Sequence, residues 1–217
     1  MSRRSADVAA RAARADGSAA RWPGAAGAFA LFGEVLWVGV LVTVSGIFVL
    51  TLPAALAAGS GHLRRYLAAE EASVRIFFRD LKKAFVGSLA IGAIAVAAVL
   101  LLTLDLALSL SGLLPGSQLV FIAGLIGLVL VGLVLVRSAA LWRAEAGWPT
   151  ALRETLPSLG ADLVGALYLV VALGLAVLLT WQLAPLVIAG VGCLVFASVV
   201  VLERKRARDE ARAALDV

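Results

Sequence analysis

The sequence predicts an all-α protein, a polytopic transmembrane helical bundle of about five spans with an amphipathic helix on the cytoplasmic surface of the membrane. Apolar residues make up 62% of the 217 residues and charged residues only 15%, and the mean hydropathy is +1.02, which lies outside the range of soluble domains. Four stretches contain no charged residue. Each is long enough to cross a hydrocarbon core, which takes roughly 20 apolar residues.

The uncharged stretches define the predicted domains. The last of them is long enough for two spans, and Trp181, Gln182 and Pro185 near its middle indicate a turn at the membrane surface. We expect one transmembrane domain over 25–202, between a mobile basic tail over 1–24 and a charged cytoplasmic tail over 203–217 that extends the last helix. The predicted spans are about 28–50, 85–104, 119–136, 160–181 and 183–202.

The basic residues predict the orientation. Of the 19 Lys and Arg residues, fourteen lie in the two long connections and the C-terminal tail, and five precede Trp22. The positive-inside rule therefore places those connections and the C-terminus in the cytoplasm. With five spans the N-terminus lies outside. The alternative is that 25–58 forms a re-entrant hairpin, broken near Gly46 or Pro53, which brings the N-terminus inside.

Two carboxylates interrupt the apolar segments. Glu34 lies in the first predicted span, where an ionised group is costly, so it either faces the interior of the bundle as a buried polar site or lies close enough to the outer interface to be wetted. Asp105 follows the second predicted span and is expected at the outer interface. The two would share a site only with a proton or a cation between them.

The first basic connection predicts an interfacial helix over 62–84, because apolar residues recur there at helical spacing opposite cations. The cations on its polar face are Arg64, Arg65, Arg75, Arg79, Lys82 and Lys83. This face is a predicted contact surface for a cytoplasmic partner or for anionic lipid head groups, unless the connection serves topology alone. His62, the only histidine, is expected to be an exposed residue at the start of this helix.

The second basic connection resembles the first. Arg137, Trp142, Arg143 and Trp148 are predicted to provide snorkelling cations and aromatic rings at the cytoplasmic interface. A second short interfacial helix is expected over 148–157, ending before Pro157. Asp162 is interpreted as a carboxylate at the start of the fourth span, where the helix dipole stabilises it.

Several function classes are disfavoured by what the sequence contains. One histidine and one cysteine, Cys193, leave too few groups for a metal or cofactor site. Phosphate-binding loops and hydrolase motifs are absent from the sequence, so we expect neither enzymatic activity nor a cofactor. The basic residues lack the aromatic interleaving of nucleic-acid surfaces, and the lipid bilayer with its anionic lipid is the expected partner.

The stretch Gly33–Phe85 carries a recognisable pattern. It comprises Glu34-x-x-Trp37, Gly46, the run Thr51-Leu52-Pro53-Ala54-Ala55-Leu56-Ala57-Ala58, the acidic pair Glu70-Glu71, and Phe77-Phe78-x-x-Leu81-x-x-x-Phe85. This pattern resembles the bacterial YesL family, small multi-span membrane proteins of uncharacterised function that are often encoded beside ABC-type carbohydrate importers. The family usually has Asn at the position of Glu34.

The resemblance implies a component of the bacterial cytoplasmic (inner) membrane that is associated with carbohydrate uptake. The expected function is an accessory or regulatory subunit, with ABC importer permease subunits as partners. The alternative is a stand-alone small transporter or substrate-binding membrane module that uses Glu34 in a buried cavity.

Overall fold

The computed structural model describes residues 27–111, 116–182 and 187–213. Within these ranges the chain is all-helical, as predicted, with seven α-helices and a 3-10 turn at Val49–Thr51. The helices are α1 (Ala28–Ser45), α2 (Leu52–Leu67), α3 (Val74–Leu110), α4 (Ser117–Leu141), α5 (Gly147–Ala161), α6 (Leu163–Gln182) and α7 (Val187–Ala213). The predicted mobile tail over 1–24 lies outside the described residues, and α7 continues through the charged tail to Ala213.

Helices α1 and α2 form an antiparallel hairpin. The chain reverses after Gly46, whose N–H donates to the Val42 carbonyl at 2.8 Å as the last bond of α1. A methyl group on Gly59 would lie 2.6 Å from Val42 Cγ2, and His62 contacts Glu34, so the residues pair in opposite order along the two helices. The first predicted span over 28–50 is therefore corrected, because α1 ends at Ser45 and the chain turns back towards the end of the molecule where α1 began.

Helix α2 lies at the centre of the molecule. It packs against α1, α3, α4 and α7, and the run from Pro53 to Leu63 is buried without interruption. Ala, Gly and Ser dominate this run, and such small residues let neighbouring backbones approach closely in an apolar environment. The small residues of α2 therefore allow its neighbours to lie close to its backbone.

The predicted interfacial helix over 62–84 is divided in the structure. Helix α2 ends at Leu67, Ala69 adopts a left-handed conformation with φ 56°, and α3 begins at Val74. The Glu70 N–H donates to the Arg65 carbonyl at 2.9 Å, a bond that closes the end of a helix. Leu63, Leu67 and Phe77 are buried within the protein, so the apolar face of this segment packs against protein.

The hairpin of α1 and α2 reaches only part of the way along α3. Arg65 near the end of α2 contacts Asp80 in the second turn of α3, whereas Leu50 at the tip of the hairpin lies against Gly92. Helix α3 has 37 residues and at 1.5 Å per residue is about 55 Å long. Roughly its second half extends beyond the tip and packs against α4.

The C-terminal part consists of α5, α6 and α7. Helix α5 confirms a short helix in the second connection, but it continues through Pro157 to Ala161. It does so although an interior proline removes one hydrogen bond of the helix and crowds the carbonyl four residues before it. Helix α6 leaves α5 at an angle of 107° and pairs in antiparallel fashion with α7, where Gly190 lies against Ala176. Helix α7 also packs against α1.

The number of candidate spans is smaller than predicted. Three helices of the described chain are long and apolar enough to cross a membrane, and a fourth span results if the bent pair α5 and α6 counts as one. The shortfall from five arises mainly in α1, whose apolar part Phe29–Ser45 is shorter than the other spans. A hydrocarbon core takes roughly 20 helical residues.

Candidate functional site

A carboxylate and an imidazole meet between the two helices of the hairpin. Glu34 of α1 and His62 of α2 form a hydrogen-bonded pair, with 2.6 Å between Oε1 of the carboxyl group and Nε2 of the ring. The His62 side chain is 1% exposed and the Glu34 side chain 22%. Glu34 therefore faces the interior of the bundle, the first of the two expectations for this residue, and it remains open to the surroundings on one side.

His62 is placed differently from the sequence prediction. It was expected to be exposed at the start of a helix, but it lies in the last turns of α2 and is buried. Its neighbour Leu63 and Phe77 of α3 are also fully buried. The Phe77 ring covers it edge to face, with 6.5 Å between ring centroids. The Nδ1 atom is buried and has no hydrogen-bond partner among the described residues. Glu34 is therefore the member of the pair that remains in contact with the surroundings.

A partner for Glu34 could have been inferred from the sequence. An intramembrane carboxylate requires a group that stabilises it, and the only histidine of the chain follows the same uncharged stretch. What the sequence does not provide is the reversal at Gly46 that brings the two together.

Asp105 does not join this site. His62 and Asp80 lie at the same end of the molecule, because Arg65 is one turn from His62 and contacts Asp80. Asp105 lies 25 residues further along α3 than Asp80, which is about 38 Å at the helical rise. The Asp105 side chain is exposed. The structure therefore separates Asp105 from Glu34, so the two carboxylates do not share a site.

We call the end of the molecule where α2 ends, α3 begins and α4 ends the charged end. Two arginines of α2 hold these helices together there. Arg64 donates to the carbonyl oxygens of Ala140 at 3.2 Å and Trp142 at 3.3 Å, which are among the unpaired carbonyls at the end of α4. Arg65 forms an ion pair with Asp80 of α3, whose side chain is 8% exposed.

The six cations predicted as a contact surface divide into two groups. Arg64 and Arg65 are half-buried and bind neighbouring helices. The remaining four are all exposed on the first turns of α3, and they are Arg75, Arg79, Lys82 and Lys83. Only these four side chains are exposed enough for a partner to contact them.

A polar cavity opens between these helices at the charged end. Its volume is about 240 Å³, and it lies between the end of α2, the start of α3 and the segment that follows α4. The cavity is lined by Gly61, Arg64, Arg65, Arg79, Asp80, Lys83, Trp142, Arg143, Ala144 and Glu145. Five of these side chains are cationic and two are anionic, so the lining carries an excess of positive charge.

A second polar cluster joins α4, α5, α6 and α7. Arg137 is 1% exposed and its Nε donates to Ser158 Oγ at 2.7 Å, so it is a buried structural cation and the predicted snorkelling role is wrong. Asp162 at the break between α5 and α6 accepts from the Gly165 N–H at 3.1 Å and from Arg208 of α7 at 2.7 Å. These contacts fix the bend between the two helices.

The two tryptophans of the second connection are also buried. Trp142 is 4% exposed and Trp148 5%, and the Trp148 indole N–H donates to the Ala84 carbonyl of α3 at 2.8 Å. Trp148 thereby holds α5 against α3, and the Trp142 ring lies beside it, with 6.1 Å between ring centroids. The predicted aromatic belt is wrong for both. Arg143 is exposed, and its snorkelling role stays a prediction.

The remaining residues of the sequence pattern surround the hairpin. Gly46 ends α1, and Pro53 is buried in the first turn of α2. Trp37 is 45% exposed on the outer side of α1. Phe78 and Phe85 are partly exposed on α3, at 50% and 40%.

With this geometry in place, the chain can be compared with known proteins. The model of a family described as a protein of unknown function, DUF624, matches residues 31–106. This segment contains most of α1, all of α2 and most of α3, and thus both members of the Glu34 and His62 pair and of the Arg65 and Asp80 contact. No curated protein and no solved structure matches the chain.

The described ranges contain no group of three or more His, Cys, Asp or Glu side chains that could hold a metal ion. The polar chemistry that they do offer consists of one carboxylate–imidazole pair and a cationic cavity.

Proposed function

We propose that this protein is an accessory or regulatory membrane component of a bacterial carbohydrate uptake system of the ABC type, located in the cytoplasmic membrane and without enzymatic activity of its own. The observation that carries the proposal is the pattern over Gly33–Phe85, through its resemblance to the YesL family. The matched DUF624 segment overlaps this pattern, although that family is uncharacterised. Several apolar helices that could span a membrane support the membrane location.

The exposed cations of α3 provide the proposed contact surface. Arg75, Arg79, Lys82 and Lys83 lie on the first three turns of α3. Trp148 and Asp80 anchor these turns to the rest of the protein. Charges presented on a fixed helix select a partner through electrostatic complementarity. An importer permease with an acidic cytoplasmic surface would fit this face.

The test is affinity purification of the tagged protein from its own host, grown on complex carbohydrate, in mild detergent, with mass spectrometry of the proteins that co-purify. Importer permease subunits are expected in near-stoichiometric amounts with the wild type. The variant R75E/K82E should lose them, whereas R75K/K82R, which keeps both charges at the same positions, should retain them. Purification of the wild type alone, or equal retention by both variants, would contradict the proposal.

The Glu34 and His62 pair favours a second candidate, a stand-alone small transporter or substrate-binding module. The pair is polar, lies within the matched segment and opens to the surroundings through Glu34. In this case E34Q should fail to restore growth of a deletion strain on complex carbohydrate, at unchanged protein level and unchanged partner retention. Full restoration by E34Q would exclude it.

A further inference from the structure

The cavity at the charged end has the composition of an anion site. Three separate segments contribute cations to it, with Arg64 and Arg65 from α2, Arg79 and Lys83 from α3, and Arg143 from the segment after α4. Asp80 is already paired with Arg65, and Glu145 is exposed. Arg79 Nε also lies 3.8 Å from Asp80 Oδ1. The five cations still outnumber the two acids of the lining, so an anion bound there would gain electrostatic energy in a partly enclosed space.

One of the lining guanidinium groups has a free donor directed into a buried position. Arg65 uses Nη2 to bind Asp80, whereas its Nη1 is buried without a hydrogen-bond partner among the described residues. A buried donor that lacks a partner is costly. Since water does not reach this nitrogen, an oxygen of a ligand in the cavity would contact it only after a small movement of the Arg65 side chain.

The arginines at this end also repel each other. Burial, followed by the positive charges of Arg143 and Arg206, lowers the pKa of Arg64 to about 10. The guanidinium remains charged at neutral pH, so the repulsion persists. A bound anion would relieve it.

From this arrangement we propose that the cavity between α2, α3 and the segment after α4 binds a phosphate group, supplied either by free phosphate or by the head group of an anionic phospholipid. Arginine and lysine are the preferred protein donors for phosphate oxygens, and several of them from different elements can surround its oxygens together. The volume of about 240 Å³ lies below the roughly 300–1,000 Å³ of pockets for drug-sized ligands. The occupant is therefore small.

The proposal goes beyond an accessory role, because neither a protein partner nor a carbohydrate is needed for phosphate binding. A ligand here would contact α2, α3 and the end of α4 at once, and so would stabilise the contact that Arg65 and Asp80 already form. If no partner co-purifies, the proposed phosphate site still stands. If no phosphate binds, the proposed accessory role still stands.

The experiment uses the purified full-length protein in a neutral detergent. Binding of inorganic phosphate is measured by calorimetry at low ionic strength, and retention of phosphatidylglycerol is measured by native mass spectrometry against phosphatidylcholine as the zwitterionic reference. The test variant is R79Q/K83Q, which removes two exposed cavity cations and leaves the Arg65 and Asp80 pair intact. The matched control R75Q/K82Q removes the same charge from the same helix outside the cavity lining.

The wild type is expected to bind at least one of the two probes. R79Q/K83Q should weaken that binding by about tenfold or more, because each lost donor is a charge-assisted hydrogen bond. R75Q/K82Q should weaken it by about twofold or less, since exposed charges outside the site are screened. Binding of inorganic phosphate that displaces the lipid would identify the phosphate group itself as sufficient, whereas retention of phosphatidylglycerol alone would identify a lipid head-group site.

Two results would overturn the proposal. The first is that the wild type binds neither probe more tightly than the phosphatidylcholine reference. The second is that R79Q/K83Q and R75Q/K82Q weaken binding equally, which would mean that the probes respond to the general charge of α3 and not to the cavity.

Discussion

Glu34 lies in an apolar helix because His62 lies against it. Burying a carboxylate without a partner costs several kcal/mol, and the contact at 2.6 Å offsets much of that cost. The sequence indicated the unusual carboxylate but assigned His62 to the surface. The error arose because the partner is 28 residues away along the chain, beyond the range over which helical periodicity carries information.

We predict that the contact between Glu34 and His62 contributes to the stability of the protein. The variant H62L leaves the Glu34 carboxylate without its donor and should reduce the free energy of unfolding by about 1–3 kcal/mol. E34Q keeps a side-chain oxygen that can accept from His62 Nε2, so its effect should be smaller, about 1 kcal/mol or less. The measurement is the thermal unfolding midpoint of each variant in the same detergent.

A double-mutant cycle separates the pair from simple packing. If the two side chains act together, E34L/H62L should be less destabilised than the sum of E34L and H62L. Strict additivity of the two single changes, or H62L as stable as the wild type, would show that the contact contributes nothing.

Among the helices, the crossing of α1 and α7 depends on two glycines. Gly39 lies against the Ile188 carbonyl and the backbone of Gly192, and a methyl group on it would overlap that carbonyl. Gly192 lies equally close to the Val35 carbonyl. Only residues without a Cβ allow two backbones to approach to this degree.

We therefore predict that G39A destabilises the protein by about 1–3 kcal/mol, the usual cost of overpacking, with loss of unfolding temperature as the readout. The matched control lies on the same helix. Gly33 is exposed and has open space around it, so G33A should be neutral or stabilising by up to about 1 kcal/mol, because alanine is the better helix former. Equal effects of G39A and G33A would show that the crossing is not closely packed.

For the whole molecule, the hairpin of α1 and α2 bears on the membrane topology. The antiparallel hairpin returns the chain, so the start of α1 and the end of α2 lie at the same end as the charged end. This arrangement corresponds to the re-entrant alternative. The chain enters α1 at the same end at which the basic residues of α2 and α3 lie, which the positive-inside rule favours over five full spans.

Cysteine accessibility tests this arrangement. In a C193A background, which removes the single native cysteine, single cysteines replace the exposed residues Gly27, Glu70 and Ser111. Gly27→Cys and Glu70→Cys are expected to be protected in intact spheroplasts from a membrane-impermeant maleimide, while Ser111→Cys is labelled. If Gly27→Cys reacts from the same side as Ser111→Cys, α1 crosses the membrane completely and the re-entrant alternative is wrong.

The sequence by itself determined that the protein is an all-helical membrane protein and where most of its apolar helices lie, since composition and the absence of charge over about 20 residues are local properties. It also indicated Glu34 as an unusual residue and a short helix in the second connection. Its estimate of five spans exceeded the three or four that length and composition support in the described chain.

Only the tertiary structure decided that α2 is surrounded by other helices, that His62 and Arg137 are buried, and that five cations line one cavity. The periodicity of Leu63, Leu67 and Phe77 is the same whether their face contacts lipid or protein, so the sequence could not distinguish an interfacial helix from a central one. Contacts between residues far apart in the chain depend on the reversal at Gly46 and on the close approach of helices through glycine. For this reason the candidate sites emerged from the packing of the helices and not from any motif.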